Sequence, residues 1–156
     1  MNTATSTQIA NYVREKKNVL ILAGYQCDEM ELGSRKLVDY ASELAQKLDA
    51  PVAATGNCVV ALRDRGARAR KEVALEILEL LRYETWRGPI MDKRPDLLIF
   101  IGYPKGVAQG LVSAARSVET VALCTAAIDG ATCCLPDASL KDYQQSLDQL
   151  VQNLGN

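Results

Sequence analysis

The 156-residue chain contains no histidine. That removes Ser-His-Asp and Cys-His catalysis, imidazole-based metal sites and the one side chain that ordinarily titrates near neutral pH. Aromatic residues make up only 5% of the chain, so its core has to be built from Ala, Val, Leu and Ile. The five cysteines (Cys27, Cys58, Cys124, Cys133, Cys134) form no CxxC pair and no ferredoxin-type run, which excludes the common zinc and iron–sulfur spacings. An odd count without a framework reads as reduced thiols packed as small hydrophobes. Cys27 and Cys58 stand out because each sits just past a strand, on a loop. No apolar run approaches the ~20 residues of a membrane span, and the polar residues 1–8 do not read as a signal peptide. A formal charge of -1 gives no bulk attraction to nucleic acid or to an anionic membrane. The expectation is a cytoplasmic chain with neither kind of partner and no metal site.

What is present is organised around residues 94–106, RPDLLIFIGYPKG. Five unbroken apolar residues, Leu97 to Ile101, end at Gly102. A short run without alternation, bounded by Pro and Gly, fits a strand covered on both faces, as in a parallel sheet. Residues 19–24 repeat the pattern and end at Gly24; residues 51–54, 119–124 and 131–135 supply further short strands. Helical periodicity covers residues 35–48, with Ser34 as the cap, and residues 105–116 and 139–154, the last opened by Ser139 with Asp142. A short helix starts at Ser6, behind a frayed start at 1–5; residues 1–17 form an N-terminal tail and helix. Residues 70–83 read as a helix apolar on more than one face (Val73, Leu75, Ile77, Leu78, Leu80, Leu81), which points to burial against another subunit. Residues 63–71 carry the one concentration of charge, either a solvated loop or a docking patch for an acidic group. Trp86, in the irregular stretch 84–93, reads as a gap-filler. The alternation predicts one α/β domain over 1–156, with three layers and a doubly wound, mostly parallel sheet carrying helices on both faces.

In such a sheet ligands bind beyond the carboxyl ends of the strands, where strand order reverses. If the strands ending at Gly24 and Gly102 are neighbours, the candidate site comprises Gly24 and Tyr25, Thr55, Gly56 and Asn57, Gly102 and Tyr103, and Lys105 with Gly106 at a helix start. Free N–H groups at a helix start suit a phosphate. GxGxxG and GxxxxGK[ST] are both absent, and glycine is also simply what a tight strand-to-helix turn wants. No paired acid and base emerges, so no residue is assigned a catalytic role. Asp28 and Glu29 belong to an acidic loop without a partner and would carry the weaker reading of a hydrolase or transferase.

Residues 19–24, 50–56, Trp86-Arg87-Gly88 with 95–103, 119–123 and 129–137 together resemble the epsilon subunit of the archaeal carbon monoxide dehydrogenase/acetyl-CoA synthase complex. That complex is also called acetyl-CoA decarbonylase/synthase. The resemblance spans about residues 15–154. It implies a deoxyhypusine-synthase-like NAD/FAD-binding fold and an accessory, non-catalytic subunit. That subunit would bind a large alpha subunit holding the nickel–iron–sulfur chemistry, with contacts between copies of the chain as well. It further implies an FAD site that assists electron transfer, set against no intrinsic cofactor at all. The alternative is a free-standing FAD- or NAD-binding protein.

Overall fold

The computed structural model describes residues 2–115 and 117–155. The elements, in chain order, are α1 (Ser6–Arg14), β1 (Val19–Ala23), α2 (Gln26–Glu29), β2 (Glu31–Leu32), β3 (Arg35–Lys36), α3 (Leu37–Leu48), β4 (Val52–Ala54) and α4 (Gly56–Asp64). They continue with β5 (Ala69–Lys71), α5 (Ala74–Leu80), β6 (Leu97–Ile101), α6 (Lys105–Ala114), β7 (Glu119–Leu123), β8 (Cys133–Cys134) and α7 (Leu140–Leu154). Six strands form one parallel sheet in the order β5-β4-β1-β6-β7-β8, while β2 and β3 make a small antiparallel ladder. Within the large sheet this is the third-second-first-fourth-fifth-sixth arrangement of dinucleotide folds, with its reversal between β1 and β6.

Right-handed crossovers then dictate which face each helix covers. The chain moves one way from β1 to β4 to β5, placing α3 and α4 on one face. It returns from β5 to β6 and on to β7, placing α5 and α6 on the other. The pleat divides the apolar strand residues accordingly. Ile21, Ala23, Val52, Ile99, Ile101 and Val121 join the core under α1, α3, α4 and α7. Leu20, Leu22, Ala53, Leu98, Phe100 and Ala122 join the core under α5 and α6. Every residue of β1, β4 and β6 is buried, as an unbroken apolar run requires of a strand covered twice. The covering is lopsided, because α1 and α7 also add to the first face.

Several expectations are corrected by local chemistry. Residues 2–4 are not frayed: Asn2 donates to the Ile128 and Ala131 carbonyls, Ala4 N–H donates to Cys134 O at 2.9 Å, and Thr3 bridges β8. They extend the sheet past its short last strand and so cover that edge. Ser34 does not cap α3; Lys36 takes that place, its N–H donating to Asp39 Oδ2 at 2.8 Å, because residues 35–36 are spent on pairing with β2. The Gly56-Asn57 turn is the first turn of α4, capped at Thr55. Residues 69–71, read as the end of a loop and the start of a helix, are the edge strand β5, whose charged Arg70 and Lys71 protect an open edge. The helix expected over 70–83 shortens to α5, and Arg116, expected to end α6, lies outside the described residues. Val107 near the start of α6 and Leu140 at the start of α7 are apolar yet 45% and 55% exposed.

Ser139 does cap α7, its hydroxyl accepting from Asp142 N–H at 3.2 Å. Ser139→Ala should lower unfolding stability by about 1 kcal/mol in chemical denaturation without changing the slope of the transition.

Candidate functional site

The carboxyl ends of β1 and β6 are level, since Ala23 pairs with Ile101, and the chain turns at Gly24 and Gly102. These two turns pack directly on each other. Gly24 N–H donates to Ile101 O at 2.8 Å and Gln26 N–H to Gly102 O at 3.0 Å. A Cβ on Gly24 would lie 2.4 Å from Gly102 O and 2.6 Å from the Tyr103 ring. A Cβ on Gly102, whose φ is +86°, would lie 2.5 Å from Cys27 Sγ. Both glycines are therefore required for close approach of one turn to the other. Tyr103 is buried edge-on against Phe100 at a centroid distance of 6.3 Å, with its hydroxyl proton held tightly by burial and by the nearby Cys27 and Cys58 sulfurs.

The nine candidate residues consequently separate into two sets. Gly24, Gly102 and Tyr103 are interior and leave no room for a pyrophosphate between the two turns. Tyr25, Gly56, Asn57, Lys105 and Gly106 are exposed, with Thr55 half-buried beside them, and form a rim around the switch point. A Cβ on Gly106 would meet nothing within 4 Å, whereas one on Gly56 would lie 3.4 Å from the Lys71 side chain. Lys71 was not singled out from the sequence, because its strand was not recognised. This rim, at the starts of α4 and α6, fits a phosphate group; the interior does not.

Beneath the rim lie Cys27 on α2 and Cys58 in the first turn of α4, both fully buried. The neighbouring Cys58 sulfur, together with burial, pushes the Cys27 thiol up, and that thiol donates to Ile101 O at 3.7 Å. Cys27 in turn draws Cys58 down despite desolvation, helped by the Thr55 hydroxyl at 3.4 Å and the Asp28 backbone N–H. Burial pushes Cys124 and Cys133 up, to about 12 and about 11, each also facing the Cys134 sulfur. Asp28 and Glu29 follow Cys27 on α2, and among the described residues neither carboxylate has an ion pair. Among the described residues no group of three His, Cys, Asp or Glu side chains could hold a metal ion.

A second surface lies on the thinly covered face. Val73, Leu75 and Tyr83 are 54%, 61% and 61% exposed around α5, and Val107 is exposed on α6. Between the two helices runs an open groove of about 550 Å³ whose lining includes Leu75, Leu78, Glu79 and Arg82. Trp86 closes one end of this core, its indole N–H donating to Met91 O at 2.9 Å. Four arginines of the charged segment have partners within the chain: Arg63 donates to Ala69 O, Arg65 pairs with Asp39 at 2.6 Å, Arg68 with Asp49 at 3.1 Å and Arg70 with Glu72 at 3.6 Å. No helix among the described residues is long and apolar enough to cross a membrane.

Gly24→Ala should destabilise the protein by about 1–3 kcal/mol, because backbone on both sides must move. Gly110→Ala in α6, where a Cβ meets nothing within 4 Å, should stabilise it by up to about 1 kcal/mol. Denaturant midpoints of the two variants check both signs. The rate of alkylation of the first thiol in the native protein should level off below the ordinary thiol pKa of about 8.5, since thiolate is the reactive form and Cys58 is drawn down.

No protein-family model matches the chain. It is similar along nearly its whole length to curated proteins from methanogens. It is 26% identical over 155 residues to acetyl-CoA decarbonylase/synthase complex subunit epsilon 1 of Methanosarcina barkeri, covering 97% of this chain and 88% of that one. It is 25% identical over 155 residues to subunit epsilon 2 of the same complex from Methanosarcina mazei, again covering 97% and 88%. Against subunit epsilon of Methanothermobacter thermautotrophicus the identity is 26% over 120 residues, covering 74% and 69%. The homologues over most of this α/β chain are thus named epsilon subunits of the acetyl-CoA decarbonylase/synthase complex.

Proposed function

We propose that the chain is an accessory, epsilon-type subunit of an acetyl-CoA decarbonylase/synthase (carbon monoxide dehydrogenase) complex. It docks on a large metalloenzyme subunit and stabilises it, in a non-catalytic role. The observation that carries this reading is the length of the similarity, 97% of the chain against proteins named as epsilon subunits of that complex. It extends through both halves of the sheet and all its crossovers, so it concerns a whole domain and not a shared nucleotide motif. The surface suited to docking is the α5–α6 face. Leu75, Val73, Tyr83 and Val107 leave apolar area in water there, and covering it returns roughly 25 cal/mol per Å². A second copy of the chain could contribute to the same covering.

Co-expression with the large subunit from the same source should yield a complex that survives gel filtration. Leu75→Glu, which places charge in the apolar patch while sparing the buried Ile77 and Leu78, should weaken it tenfold or more. Purification of the wild-type chain as a monomer that leaves the large subunit free would contradict this reading.

A second reading is favoured by the open rim at Gly56, Asn57, Lys105 and Gly106: binding of FAD or NAD through its phosphates on that rim, with Tyr25 offering an exposed ring beside it. In a subunit of a redox complex a bound flavin would supply one- or two-electron transfer. The chain's own part would be to hold the phosphates with Lys105 and the free N–H groups of the helix starts. Saturating FAD at 100 times its dissociation constant should add about 2.7 kcal/mol to unfolding stability, and Lys105→Ala should reduce the shift. No thermal shift with FAD or NAD, and no flavin absorbance in the purified protein, would remove this second reading and leave the first untouched.

A further inference from the structure

The docking role makes no use of Cys27 and Cys58, although the fold brings them together from separate crossovers. Cys27 lies just past β1 and Cys58 just past β4, and because β1 and β4 are neighbours the two residues meet at one end of the sheet. A single carbonyl oxygen serves both: Gly24 O accepts the Cys27 N–H at 3.1 Å and the Cys58 thiol at 3.2 Å. The Cys27 thiol itself donates to Ile101 O at 3.7 Å. Cys27 Sγ occupies the space a Cβ on Gly102 would need, so its position is tied to the glycine contact at the switch point.

The cover over this pair is thin. Cys58 lies in the first turn of α4, where Asn57 beside it is exposed and Tyr25 is 42% exposed. Two polar contacts hold the cover shut: Asn57 Nδ2 donates to Tyr25 O at 3.2 Å and the Thr55 hydroxyl donates to Asn57 Oδ1 at 2.8 Å. Cys124, Cys133 and Cys134 are also buried, and none lies in the first turn of a helix.

We propose that Cys27 and Cys58 form a redox-active dithiol that low-molecular-weight disulfides oxidise to an intramolecular disulfide joining α2 to α4. Cys58 as thiolate attacks one sulfur of the disulfide RSSR. A Cys58–S–S–R bond forms, the original S–S bond breaks, and RS⁻ leaves and takes a proton from water. Cys27 then releases its proton to water, and its sulfur attacks Cys58 Sγ. The Cys27–Cys58 bond forms and the second RS⁻ leaves to be protonated in turn. Two protein thiols are oxidised by two electrons, and one RSSR is reduced to two RSH. Cys58 is the entry point because it sits in the first turn of a helix, accepts from its neighbours and lies under the movable cover. Cys27 closes the bond rapidly because it is already in place.

The test treats the reduced, folded, full-length protein with oxidised glutathione, then quenches in acid, alkylates in denaturant and maps tryptic peptides by mass spectrometry. The expected product is a cross-link between the peptides bearing Cys27 and Cys58, reversed by dithiothreitol, with Cys124, Cys133 and Cys134 alkylated. Cys27→Ala should trap one glutathione on Cys58, and Asn57→Ala should speed oxidation several-fold by releasing the cover. Reaction first at Cys124, Cys133 or Cys134, or no cross-link until the protein is unfolded, would overturn the proposal. The wild-type peptide map decides the matter even if Cys27→Ala fails to fold.

Discussion

The contact between the turns at Gly24 and Gly102 is the constraint on which the rest of this molecule depends. A parallel sheet whose strand order reverses between β1 and β6 sends its two chains in opposite directions past the same point. In nucleotide-binding folds with this strand order that divergence opens a crevice. Here the two turns come close enough that a methyl group on either would strike backbone or a cysteine sulfur. Closing the gap settles where everything nearby goes. Tyr103 is buried against Phe100, Cys27 sits over Gly102, and Cys58 reaches the Gly24 carbonyl. The polar rim is left outside, on the starts of α4 and α6.

Much of the architecture was legible because buried parallel strands have an unmistakable composition. Leu97 to Ile101 and Val19 to Ala23 carry no polar residue, and neither could be half-exposed. Their adjacency follows from the twin turns. What escaped was short or disguised. β5 is three residues, two of them charged, and only the small Ala67 and Ala69 on its inward side hint at it. α4 hid behind Thr55-Gly56-Asn57, which is as good a helix start as it is a turn. The N-terminal residues looked frayed because pairing to β8 is a long-range contact that no local pattern encodes. At the site, the grouping of Gly24, Gly56 and Gly102 was readable from topology. Whether those glycines face a ligand or one another depends on a few ångströms, and sequence periodicity carries no such information.

The lopsided covering of the sheet connects fold to function. Right-handed crossovers leave only α5, α6 and the irregular stretch before β6 on one face, and α5 is a seven-residue helix with apolar groups on its outer side. The apolar excess legible in residues 70–83 is thus real, and it is exposed where the chain by itself cannot bury it. The switch point, meanwhile, is closed around a pair of thiols.

The central claim is that the α5–α6 face is what a large metalloenzyme subunit covers. Hydrogen–deuterium exchange of the chain alone and in complex with that subunit tests it most directly. The account predicts new protection in the peptides spanning residues 73–83 and 105–115, with residues 35–48 and 140–154 unchanged. Protection confined to α3 and α7, with the α5–α6 peptides exchanging as in the free chain, would contradict it.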